Sequence, residues 1–173
     1  MLGALNTVAV RPGDTVFVPA GVPHAIGSGV FIVELQQPTD LSVTLEWKGF
    51  LDTETGGHLG IGFETALGCV DRSGWAGDRL GTLVRHQEDT AAPLRDLFGT
   101  DAAGYFRAER VRGGAELSPS FGVLVALSGR GALHTEHAGD VPVSRGETFV
   151  VPFAAGAATV SGDLVAVRCL PPS

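Results

Sequence analysis

Gly13-Asp14-Thr15-Val16-Phe17-Val18-Pro19-Ala20-Gly21-Val22-Pro23-His24 is the stretch on which the fold turns. Gly13 and Asp14 form a turn signal. Thr15–Val18 is β-branched and aromatic, the composition of a strand. Pro19 and Gly21 then predict a tight bend, and His24 opens the segment that follows. An echo lies near the other end of the chain. Val10-Arg11-Pro12-Gly13-Asp14-Thr15-Val16-Phe17-Val18-Pro19 resembles Val143-Ser144-Arg145-Gly146-Glu147-Thr148-Phe149-Val150-Val151-Pro152. Both run glycine, acidic residue, threonine, apolar residues, proline. Two copies of one β unit explain the likeness, and chance at this length is the alternative.

Working outward, residues 4–50 read as β. Val30–Leu35 is a continuous apolar run, and Leu41, Val43, Leu45 and Trp47 alternate onto one face. The middle of the chain changes character. Ile61, Phe63, Ala66, Leu67 and Val70 fall at helical spacings and predict a short helix over 63–72. Pro93–Leu97 is a candidate for one more helical turn. From residue 105 the pattern is β again, with strand candidates at Tyr105–Val111, Phe121–Leu127, Gly131–His137, Thr148–Val151 and Leu164–Cys169. Short strands separated by Gly-rich turns indicate a sandwich or jelly roll. The expected organisation is a β segment over 1–52, a helical and loop insertion over 53–104, and a smaller β domain over 105–173.

The chain has 173 residues, enough for one ordinary domain or two small ones. Hydrophobic residues make up 44% and charged residues 18%, so a core can form and global disorder is excluded. Mean hydropathy is +0.22, but no apolar run reaches the ~18–20 residues of a membrane helix. The net charge is −7, with eleven scattered arginines and the single Lys48. That argues against nucleic acid or an anionic membrane as partner, since both need a clustered positive surface. Cys69 and Cys169 fit no metal spacing and read as two free, buried thiols of a cytoplasmic protein.

The pattern G-x5-P-x-G-x2-H over Gly13–His24 resembles the second conserved motif of cupins, small double-stranded β-helix barrels that hold a metal. His24-Ala25-Ile26-Gly27-Ser28-Gly29, then an apolar run, then Glu34-Leu35-Gln36-Gln37-Pro38-Thr39-Asp40 sharpens the likeness. That order resembles the class I mannose-6-phosphate isomerases. The helix expected near His58–Val70 sits where that family has a helical insertion, and residues 105–173 resemble its smaller C-terminal barrel. The likeness spans essentially the whole chain, although only the first forty residues are specific. It implies a mainly β, cupin-type jelly roll with a short helical insertion and an incomplete first barrel.

The resemblance also implies an activity, the interconversion of mannose 6-phosphate and fructose 6-phosphate, with one zinc ion in the first barrel. His24 matches a ligand histidine; a partly buried ordinary histidine is the alternative. Glu34 and Asp40 match acidic positions and are candidates for acid/base work. Glu34 also reads as an outward strand residue, and Asp40 as a turn former. The family has an arginine where this chain has Thr44, and Lys48, or an arginine from elsewhere, is the candidate substitute. The 23 residues before His24 contain no His, Glu or Cys, and Asn6 and Asp14 are the candidate side-chain oxygen donors among them. A catalytic zinc usually takes three protein ligands. The expectation is therefore a fragment lacking upstream ligands, inactive alone or completed by a missing N-terminal segment or an oligomeric partner. A non-catalytic, cupin-like carbohydrate-binding or regulatory module is the competing function. His134 and His137 are spaced His-x2-His, which places them on opposite faces of a strand, so the second barrel is expected to be metal-free.

Overall fold

The structure is a computed structural model and describes residues 3, 5–37, 41–86 and 90–173. The chain divides into two compact units, Met1–His86 and Gln87–Ser173. The middle segment expected over 53–104 is thus shared between them.

The second unit is a two-sheet antiparallel sandwich. Its strands are β3 (Leu94–Asp96), β4 (Arg107–Arg112), β5 (Glu116–Leu117), β6 (Gly122–Ser128), β7 (Arg130–Thr135), β8 (Gly139–Ser144), β9 (Thr148–Val151), β10 (Ala158–Gly162) and β11 (Val165–Leu170). One sheet has the order β5-β10-β7-β8 and the other β3-β4-β11-β6-β9. From β8 onward the chain passes between the sheets with each strand, as in a jelly roll. Period-2 alternation makes the core: Val111, Leu124, Ala126, Leu133, Val143, Val160 and Ala166 point between the sheets. Pro142 lies in β8, an edge strand, where an absent N–H costs no ladder bond.

The first unit has much less regular structure. Strand β1 (Thr15–Val16) pairs antiparallel with β2 (Val84–Arg85), and this small sheet does not close. Single-turn helices occupy Glu54–Gly57, Phe63–Ala66 and Asp78–Gly81. The protein is thus mainly β, with a short helical insertion and an incomplete cupin-type jelly roll.

Several expected elements differ. The helix over 63–72 is one α-turn followed by a 3-10 turn, Leu67–Cys69, and ends where Val70 becomes extended. Pro93–Leu97 is not helical: Leu94–Asp96 pairs with β4, and that partner outweighs local preference. The apolar run Val30–Leu35 forms no strand, and Val30, Phe31 and Ile32 are exposed. Hydrophobic composition alone does not supply the neighbouring strand that a ladder requires.

Candidate functional site

The turn at Gly13 is built as the sequence suggests. Gly13 has φ 94°, a left-handed conformation suited to glycine. The Asp14 N–H donates to Arg11 O at 3.0 Å, and Asp14 Oδ2 accepts from the Arg11 N–H at 2.9 Å. The echo repeats this chemistry. Gly146 has φ 88°, the Glu147 N–H donates to Ser144 O at 3.1 Å, and Glu147 Oε2 accepts from the Ser144 N–H at 2.6 Å. Each proline ending the motif also closes a turn: Pro19 O accepts from Val22 N–H and Pro152 O from Ala155 N–H. Gly21, at φ 83°, is required twice over. A Cβ there would meet Cys69 O at 2.6 Å, and Gly21 O accepts from the Asp71 N–H at 2.7 Å. This clamp fixes the bend just ahead of His24.

His24 emerges from that bend exposed. Its Nδ1 lies 3.0 Å from Val22 O. A carbonyl only accepts, so Nδ1 is the donor in this contact, and Nε2 is the nitrogen left for another partner. Glu34 is exposed on a segment without regular secondary structure. Lys48 is exposed, with Nζ 5.9 Å from the centre of the Trp47 ring. Asp40 lies outside the described residues.

No family model matches the chain. Mannose-6-phosphate isomerase ManA of Bacillus subtilis (strain 168) is 46% identical over 41 residues, covering 24% of this chain and 13% of that protein. YvyI of the same organism, which bears the same enzyme name provisionally, is 26% identical over 160 residues, covering 87% of this chain and 46% of its own. The chain is similar in sequence to mannose-6-phosphate isomerases. The identity is low to moderate, and the chain spans less than half the length of these relatives. Among solved structures, phosphomannose isomerase of Salmonella typhimurium shares the fold at 13% identity with a TM-score of 0.51, over 65% of this chain and 28% of that one. A structure of the Salmonella enzyme carries its substrate and a zinc atom (TM-score 0.48).

Among the described residues the donors do not assemble a zinc site. Among the described residues no three of His, Cys, Asp or Glu come together in a way that could hold a metal ion. His24 alone falls short of the three protein ligands a catalytic zinc usually takes.

The other histidines have their own partners. His134 Nε2 is 2.9 Å from Ser161 Oγ and its Nδ1 is 2.9 Å from Asp140 Oδ1. His137 Nε2 lies 3.7 Å from Glu136 Oε1. His86 Nδ1 is 2.9 Å from Asp14 Oδ2, and so joins the end of β2 to the Gly13 turn. Cys69, expected to be buried, is exposed, whereas burial pushes the Cys169 thiol up.

Sequence reasoning missed one polar cluster. Asp71 Oδ1 accepts from the Ser73 hydroxyl at 2.5 Å and from the Ser73 N–H at 2.8 Å, and Asp71 Oδ2 accepts from Trp75 Nε1 at 2.9 Å. Arg79 stacks on Trp75 at 3.8 Å and donates to Ser73 Oγ at 2.7 Å. The only advance signal was Asp71-Arg72-Ser73, an Asx-turn composition ahead of a tryptophan.

Proposed function

We propose that this chain is a mannose-6-phosphate isomerase-like protein acting in the interconversion of mannose 6-phosphate and fructose 6-phosphate. The observation that carries this reading is the 46% identity to the Bacillus subtilis isomerase. The Gly13–His24 bend supports it, because it presents an imidazole with a free Nε2. In this reading His24 is a metal ligand, Glu34 and Asp40 serve acid/base chemistry, and Lys48 supplies the positive charge that Thr44 lacks. A small sugar phosphate is the substrate, and the metal is zinc. The remaining ligands would have to come from outside the described residues.

A graft tests this. Segment 13–48 of this chain replaces its counterpart in the Bacillus subtilis isomerase, and the hybrid is assayed with mannose 6-phosphate in the presence of zinc. The expected result is an active hybrid that loses activity and bound zinc on His24→Ala. A second reading, a non-catalytic cupin-like carbohydrate-binding or regulatory module, draws on the lack of converging donors among the described residues. A folded but inactive hybrid favours that reading, as does an active one indifferent to His24→Ala.

A further inference from the structure

The inner face of the larger sheet changes character along its strands. Pairing across β4, β11 and β6 sets Val111, Ala166 and Ala126 in one row. The next inward-facing row is Glu109, Arg168 and Leu124. The next pairs Arg107 with Leu170. The first row is fully apolar and buried in the core. The following two bring three charged side chains to a face that period 2 reserves for the interior. They line a cavity of about 170 Å³ at the mouth of the sandwich, with Ser118 and Ser120 beside them. A single water needs only about 10–15 Å³.

The charges there do not cancel. Arg168, 7% exposed, reaches Glu109 Oε2 at 3.2 Å and Ser118 O at 2.6 Å. That pair neutralises Glu109. Arg107 is held through one nitrogen, Nε, which donates to Pro171 O at 3.1 Å. Its Nη1 and Nη2 have no partner among the described residues, and Arg107 lines the cavity. A guanidinium fixed at Nε and open at both terminal nitrogens is the fork that takes a carboxylate or phosphate bidentately. The nearby Ser118 side chain can add a hydroxyl donor.

We propose that this mouth binds a small oxyanion, the carboxylate or phosphate group of a compact solute, on the guanidinium of Arg107. The site lies wholly within Gln87–Ser173 and does not rest on the isomerase reading. The test is a titration of the 15N-labelled full chain with sodium phosphate and, separately, sodium acetate, at ionic strength held constant with sodium chloride. Saturable shifts are expected at the Arg107 Nε–H and at the Ser118, Ser120 and Arg168 amides. Saturation by phosphate alone assigns a phosphate group, by acetate alone a carboxylate, and by both a shared oxyanion site. Arg107→Gln should weaken binding about tenfold, the loss of one charge-assisted bidentate contact. If that variant loses spectral dispersion, Arg107→Lys carries the test, since it keeps the charge without the fork. No saturable shift with either anion overturns the proposal. So does unchanged affinity in a folded Arg107 variant.

Discussion

Asp71 shows how a short polar run organises a loop without a core beneath it. The Ser73 hydroxyl bond, the Ser73 N–H, the Trp75 indole and the Arg79 charge, in that order, hold its carboxyl below the ordinary value of 3.8. A depressed folded value fixes the sign of the pH effect. The unfolded state binds the proton more readily, so the cluster's contribution is fully present above the unfolded value. It is lost as pH falls through the lower, folded one. A carboxyl 13C titration should therefore place the Asp71 midpoint below 3.8, with Trp75 fluorescence changing over the same range as the indole loses its anionic acceptor. Asp71→Asn should remove that fluorescence step. A midpoint at or above 3.8 would contradict the hydrogen-bond account. His24 is the counterpart in legibility. Its bend could be read from Gly13, Pro19 and Gly21, because each answers to a local backbone demand. Whether other donors converge on its ring is a question of distant chain segments, and no local pattern encodes that.

Among the elements, the repeated turn is the clearest case of sequence determining structure. An acidic side chain that accepts from the N–H three residues back does the work of a cap. It satisfies a donor that the tight turn leaves unpaired. Glu147→Ala should therefore lower stability by about 1 kcal/mol. Glu147→Gln keeps an acceptor oxygen and should lose less. Thermal melts of the two variants check this, and equal losses would show that the 2.6 Å contact to Ser144 contributes nothing. The strands divide by the same logic. β6, β9 and β11 were legible from β-branched or apolar residues over four or more positions. β8, with Gly139 and Pro142, and β10, which is Ala-Thr-Val-Ser-Gly, were missed because their small and polar residues resemble loop. Both are strands because β7 lies between them and pairs with each.

The two units differ most in how they bury apolar surface. Gln87–Ser173 has a contiguous core that includes Val111, Leu124, Leu133, Val143 and Leu164. Among the described residues of Met1–His86, the buried apolar side chains are Ala66 and Leu83. Phe31 and Phe50 of that unit are 83% and 80% exposed. Burial contributes roughly 25 cal/mol per Å² of apolar surface removed from water, so this contrast should dominate the distribution of stability. Native-state hydrogen exchange reads it directly. Amides of β6, β7 and β11 should exchange only through global opening of their unit, at about 5–10 kcal/mol for a domain of this size. Those of β1 and β2, a two-stranded pair, should exchange at far lower free energies, since such a ribbon is marginal alone. Calorimetry of the full chain should correspondingly show one cooperative transition carrying most of the enthalpy, belonging to the sandwich. If β1 and β2 amides were protected as well as those of β11, the first unit would owe its stability to interactions other than apolar burial. The Asp14–His86 contact, with the Asp14 side chain only 5% exposed, would then be the first place to look.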